Sequence, residues 1–282
     1  MAERIDGRAI AQQVLAEVSQ RAGRLADRLG QPPRLAVVVA QGDTASARYV
    51  RQIARTGERV GVAVAVHTLN ADCAAEAPVA LVAELSADRA VQGIIIQQPL
   101  PPRVSATTVL AVLDPHKDID GLHPINAGLL AQGRPEALAP ATPLGGIELL
   151  HRLALPIEGQ HAVMVGRSTV VGRPLALLLL REHATVTICH TRTRDLPAMT
   201  RQADILAVAA GRAGLITAEM VRPGAIVLDF GANEVEGRMV GDVAAEVATV
   251  AGWLTPVPGG TGPMTVALLL QNLMTAAERQ LH

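Results

Sequence analysis

Apolar residues recur along this chain at two spacings that alternate. Residues 8–29 place Ile10, Val14, Val18 and Leu25 at helical intervals among Gln, Glu and Arg, which predicts an amphipathic helix. Residues 35–40, Leu-Ala-Val-Val-Val-Ala, are a short run rich in β-branched side chains and predict a buried strand. A polar turn at 41–44 leads into a basic helical stretch from Ala45 to about Val60. A strand at 62–69, a helix at 74–86 and a strand at 91–96 ending at Gln97 follow, then a helix at 105–113. Residues 114–126, dense in charge and turn formers, read as a loop.

The alternation restarts after Pro140-Ala-Thr-Pro143. It gives strands at 162–165, 185–189, 205–209 and 226–229, helices at 172–182 and near 195–202, and a helix over the last 20 residues. Strands alternating with helices imply parallel pairing and right-handed crossovers. The predicted fold class is therefore α/β, as two domains meeting around 125–143 with a cleft where ligands bind.

Composition narrows the function. The chain has 282 residues, 49% hydrophobic and 18% charged, enough apolar side chain for packed cores and too much for a disordered protein. Its formal charge of −1 gives no bulk attraction to nucleic acid or to an anionic membrane. No apolar run is long enough to span a bilayer and the N-terminus does not read as a secretory signal, so a cytoplasmic protein is expected. Cys73 and Cys189 form neither a disulfide framework nor a zinc pattern, and no metal is expected. Tyr49, Phe230 and Trp253 are the three aromatic residues, and Lys117 is the one lysine. Any chemistry that needs a primary amine on a side chain has that single candidate.

The segment Val165-Gly-Arg-Ser-Thr-Val-Val-Gly-Arg-Pro174 joins a predicted strand to a predicted helix whose first turn holds proline, a favoured position. Gly166 permits a tight turn, Gly172 permits close packing, and free amides at the helix N-terminus can receive a phosphate. Ser168 stands where G-x-G-x-x-G has its second glycine, so the fingerprint is imperfect. The next strand ends at Cys189-His-Thr-Arg-Thr193, without the carboxylate that would hold a ribose 2′-hydroxyl. Arg192 there and Arg167 in the first loop favour NADP over NAD. Arg192 is otherwise a solvated loop residue in a chain whose basic charge is nearly all arginine.

Five motifs occur in one order: Ser46-Ala-Arg-Tyr-Val50, Gly93-Ile-Ile-Ile-Gln-Gln-Pro-Leu-Pro101, Pro115-His-Lys-Asp-Ile-Asp-Gly121, residues 165–174, and Thr255-Pro-Val-Pro-Gly-Gly-Thr-Gly-Pro-Met-Thr265. Over essentially its full length the chain resembles the methylenetetrahydrofolate dehydrogenase/cyclohydrolase family. The resemblance implies a folate-binding catalytic domain at 1–140, a Rossmann-like NADP-binding domain at 141–264, and a C-terminal helix at 265–282 packed back on the first domain. It implies NADP-linked oxidation of 5,10-methylenetetrahydrofolate, followed in bifunctional members by hydrolysis to 10-formyltetrahydrofolate, and a homodimer. Tyr49 would lie against the folate, Gln97 beside the reacting carbon, and Asp120 on the donor edge of the pterin, while Asp118 steadies its turn. Gly259, Gly260 and Pro263 would line the folate, and Gly166, Arg167, Ser168, Thr191 and Ala232 the cofactor.

One departure bears on mechanism. Bifunctional members carry lysine four residues after the tyrosine, and here that position is Ile53. Arg55 lies about 600° of helix turn from Tyr49 rather than about 400°, and arginine is too basic for general-base work. Lys117 belongs to the loop of Asp120, where the family already has a lysine. Hydride transfer is mostly positioning, whereas hydrolysis and ring opening need a tuned proton carrier. A dehydrogenase with weak or absent cyclohydrolase is therefore expected; full bifunctionality, or folate or nucleotide binding without turnover, are the alternatives. Smaller departures are Gln98, Ala141 and Thr261.

Overall fold

The structure, a computed structural model, describes residues 1–281. In chain order the first elements are β1 (Glu3–Arg4), α1 (Gly7–Leu29), β2 (Arg34–Ala40), α2 (Thr44–Arg59), β3 (Ala63–Leu69), α3 (Glu76–Ala87), β4 (Gly93–Ile96), α4 (Ala106–Leu110), α5 (Pro124–Ala131) and α6 (Ala141–Arg152). Then come β5 (His161–Val165), α7 (Gly172–Arg181), β6 (Thr185–Cys189), α8 (Leu196–Thr200), β7 (Ile205–Val208), β8 (Ile226–Asp229), β9 (Asn233–Val235), β10 (Arg238–Val240), β11 (Trp253–Leu254) and α9 (Thr261–Arg279).

The chain divides into two compact units. One comprises Gln13–Leu129, Arg134–Ala141 and Val266–His282. Its sheet has the order β3-β2-β4, parallel throughout, with Val37 of β2 opposite Val66 of β3 and Ile95 of β4. Val38, Ile94, Ile96, Val82, Leu85 and Val109 form its buried core, as expected for a central strand that is apolar on both faces.

The other unit comprises Met1–Gln12, Leu130–Gly133 and Thr142–Thr265. Its six strands run β1-β11-β8-β7-β5-β6, all parallel, with the hairpin β9–β10 beside them in sequence. The sequence pattern puts the first twelve residues with the first domain. They group here because Glu3 and Arg4 pair with Trp253 and Leu254, a two-residue strand too short to show any periodicity. Residues 141–143 begin helix α6 rather than continuing a linker, and Pro143 falls in its first turn, where proline's missing N–H costs nothing. Helix α5 occupies the end of the expected loop at 114–126.

Candidate active site

The candidate site residues fall into two groups, one in each unit. In the unit built on β3-β2-β4, helix α2 carries Ser46, Tyr49 and Ile53 at spacings of three and four, hence on neighbouring positions of one side. The opposite positions, Arg48, Arg51, Arg55 and Arg59, are exposed, which is why the helix settles with this side inward. Ile53 is 0% exposed, an aliphatic side chain wholly enclosed by protein. Strand β4 ends at Ile96, leaving Gln97 just beyond the sheet. The Gln97 amide donates to the carbonyl of Gln98 at 2.9 Å and to Ser46 Oγ at 3.4 Å, and Ser46 in turn bonds the Asp43 carboxylate. This fixes the amide's NH₂ end and turns its oxygen away from those partners. Gln98 itself is exposed, and nothing in the structure explains its side chain.

The loop bearing Asp120 is fastened on every side. Ile94 donates its N–H to the Lys117 carbonyl at 2.7 Å, extending the sheet edge into the loop. Asp118 accepts from the backbone of Leu122 and His123 and from Asn126 Nδ2, the turn-stabilising role expected of it. Asn272 of α9 donates both amide hydrogens, to the carbonyls of Ile119 and Ala139, each at 2.9 Å. Asp120 is thereby held half-buried, with its carboxyl pushed up to about 7 by burial and by the negative charge of Asp118. Tyr49 faces it closely enough to feel that charge: burial first, then Asp120, raise the phenol above its ordinary value.

The lone lysine is not part of this group. Lys117 is buried, and its Nζ donates to the carbonyls of Leu85 (3.3 Å), Ser86 (2.7 Å) and Asp88 (2.7 Å). It closes the C-terminal end of α3, where unpaired carbonyls and the negative end of the helix dipole favour a cation. Burial lowers its pKa from the ordinary lysine value, against the pull of Asp114 and Asp88.

In the six-stranded unit the turn after β5 approaches the end of β7 so closely that side chains are excluded. A Cβ on Gly166, whose φ is 126°, would lie 2.2 Å from the Ala209 carbonyl oxygen, and one on Gly172 would lie 2.4 Å from that of Gly166. Around this turn lies a cavity of about 620 Å³, within the usual range for small-molecule sites. Gly166, Arg167, Ser168 and Thr191, which the resemblance assigns to the cofactor, line it. Arg192 and Ala232 are exposed and do not line it, whereas Arg212, His190 and Thr193 do. The turn after β6 closes on itself: His190 donates its N–H to Thr193 Oγ1 and accepts at Nδ1 from the Arg192 amide.

The amides at the start of α7 are already engaged, contrary to the sequence expectation. Ser168 Oγ accepts from Val171 and Gly172, and the Ser168 carbonyl accepts from Arg173. Pro174 has no N–H. The serine in the imperfect fingerprint thus ties down the turn that leads into α7, and an anion in the cavity would depend on the turn and on side chains. Two buried aspartates outside the cavity lining, neither assigned from the sequence, hold the loops behind it. Asp242 accepts from the amides of Ala210, Gly211 and Arg212. Asp229 accepts from Gly231, Asp242 and Val243. Their only sequence signal is the neighbouring Gly231 and Gly241, where a Cβ would strike Asp242 and Asp229 respectively.

Gly259 and Gly260 belong to this same unit, and Gly259 has φ 112°. A Cβ on Gly7 would lie 1.8 Å from the Gly260 carbonyl oxygen, so the loop sits hard against the start of α1. Pro263 is half-buried in the first turn of α9. Thr261, one of the departures, donates to the Asp229 carbonyl at 2.8 Å, a bond that an apolar residue could not make.

Residues 5–120 match the family profile of the tetrahydrofolate dehydrogenase/cyclohydrolase catalytic domain, and residues 140–281 match that of its NAD(P)-binding domain. A protein of Chloroflexus aurantiacus called "Bifunctional protein FolD" is 53% identical over 279 residues, covering 98% of both chains. The crystal structure of the bifunctional enzyme FolD, methylenetetrahydrofolate dehydrogenase/cyclohydrolase, from Campylobacter jejuni has a TM-score of 0.96 at 40% identity, with 99% of each chain covered. The Trypanosoma brucei methylenetetrahydrofolate dehydrogenase-cyclohydrolase, solved with NADP cofactor and inhibitor, has a TM-score of 0.94 at 36% identity, covering 100% of this chain and 99% of its own.

Proposed function

The chain belongs to the tetrahydrofolate dehydrogenase/cyclohydrolase family, and from that premise we propose that it oxidises 5,10-methylenetetrahydrofolate to the methenyl form with NADP and has little or no cyclohydrolase activity. NADP supplies the acceptor for the hydride. Gly166 lets the backbone approach the dinucleotide, and Arg167 gives its phosphates a positive partner. On the folate side, Tyr49 offers a ring for a flat aromatic system, Gln97 a fixed amide, and Asp120 an acceptor for the amino and ring N–H groups of the pterin. Hydride transfer asks these residues chiefly for alignment, because the C–H bond breaks with its electron pair and no side chain need exchange a proton.

Hydrolysis asks for more. Water must lose a proton as it attacks the methenyl carbon, and a ring nitrogen must gain one as the ring opens; positioned acid–base groups contribute about 10²–10⁴-fold to such steps. The observation that carries the reading is Ile53, wholly buried one turn from Tyr49 where the family resemblance calls for lysine, while the chain's only lysine spends its ammonium on three carbonyls. The test is a paired assay of the purified protein. NADPH should form on addition of methylenetetrahydrofolate, while methenyltetrahydrofolate should disappear at close to its spontaneous rate. Ile53→Lys should raise the second rate about 100-fold or more. Wild-type hydrolysis far above the spontaneous rate would refute the split.

A second reading, full bifunctionality, is favoured by Asp120, whose carboxyl stands at about 7 beside Tyr49 and is thus tuned for proton exchange near neutrality. The names of the relatives point the same way. Under this reading Asp120→Asn abolishes hydrolysis and Ile53→Lys adds little. We also infer a homodimer; the outer edge of the six-stranded sheet, β6, leaves Ile188 exposed for such a contact.

A further inference from the structure

We propose that Arg212, rather than Arg192, is the second guanidinium that selects a dinucleotide bearing a 2′-phosphate. The inference rests on the reading of the 620 Å³ cavity as the NADP site. Arg167 and Arg212 both line that cavity, from the turn after β5 and the loop after β7, and no carboxylate lines it. Neither guanidinium has an ion pair or a side-chain hydrogen bond among the described residues. Two unpaired cations around an acid-free cavity repel each other unless an anion joins them.

The rest of the lining offers that anion hydroxyls and an imidazole, from Ser168, Thr191, Thr193 and His190, but no other guanidinium or amine. The first-turn amides of α7 are bound to Ser168, so the helix N-terminus does not supply the donors. The Arg212 backbone is built rather than loose: its N–H and those of Ala210 and Gly211 all converge on the Asp242 carboxylate at 2.6–2.9 Å. That anchorage leaves the long side chain free while its root stays fixed, and guanidinium matches phosphate through paired N–H donors. Arg192, by contrast, is exposed on a turn whose own hydrogen bonds hold it outside the lining.

The test is calorimetric titration of the full chain with NADP and with NAD, without folate, so that turnover is not required. Arg212→Met keeps the length of the side chain and removes the charge, at an exposed position where folding is not at stake. Its dissociation constant for NADP should rise about tenfold or more while that for NAD changes less than about twofold. Arg192→Met should leave both constants unchanged. Equal weakening of NADP and NAD by Arg212→Met would mean contact with the adenine or the pyrophosphate and would overturn the proposal. So would no effect of Arg212→Met, or loss of NADP selectivity in Arg192→Met. A wild type that prefers NADP yet is indifferent to Arg212→Met sinks this inference alone. A wild type that binds neither dinucleotide sinks the reading of the cavity along with it.

Discussion

Lys117→Met separates the two roles open to the only lysine. The buried ammonium satisfies carbonyls at the end of α3, with two contacts of 2.7 Å and one of 3.3 Å. Methionine keeps the stem's volume but leaves those oxygens without their donor. Hydrogen bonds to a charged group are worth about 1.5–3 kcal/mol each, and three that share one donor do not add fully, so a loss of about 3 kcal/mol is expected. For a chain of this size that lowers the melting midpoint by roughly 6–12 °C. The loop of Asp120 starts at the same residue, so the substrate KM should rise as the anchorage loosens. At a temperature where the variant remains folded, kcat for NADP reduction should stay within about threefold of wild type, since no proton passes through the amine. Circular dichroism melts and initial-rate kinetics read the two quantities on one preparation. A variant as stable as wild type but with kcat down by about 100-fold would refute the scaffolding role and return Lys117 to the chemistry.

Two further predictions concern the same loop. Asp120 carries a carboxyl near 7 in the folded chain against about 4 when unfolded, so the folded state holds its proton more tightly. Stability should fall as pH rises from about 4 to about 7, by on the order of 4 kcal/mol, and Asp120→Asn should remove that fall; melting curves that run parallel for the two proteins across this range would contradict it. Asn272→Leu strips both the Ile119 and Ala139 carbonyls of their buried donor and should cost about 2–4 kcal/mol in urea unfolding, with a raised KM for folate because Ile119 precedes Asp120.

The sheets were legible because their strands are apolar runs flanked by turn residues; β6 and β8 fall at the residues the pattern names. Elements without periodicity were not. Strands β1 and β11 have two residues each and exist only through their pairing with neighbours, and α5 and α6 begin in segments read as loop or linker and run on through residues to which the pattern assigns no element. In the site, Tyr49, Gln97 and Asp120 were legible through motif rather than physics. Arg212 was not, because a single arginine in a chain full of arginines carries no local signal. Its place in the cavity comes from the register of β7 against β5, in which Val165 lies opposite Val208 and the two following turns meet.

The polar residues around the two candidate sites sort by whether their bonding is complete. Lys117, Asp118, Asp229 and Asp242 are buried and each meets two or more backbone groups, and a buried polar group so engaged holds a loop in place. Arg167 and Arg212 keep their guanidiniums open, and Asp120 and Tyr49 face each other with both their pKa values raised. Groups held at such a cost are the ones a bound molecule can repay. By the same measure Ile53 contributes no proton donor or acceptor at all. On the reading proposed above, the hydride step asks for aligned surfaces, and hydrolysis would fall to the Asp120 carboxyl, raised to about 7, and to the Tyr49 phenol, whose raised pKa keeps it protonated well past neutrality.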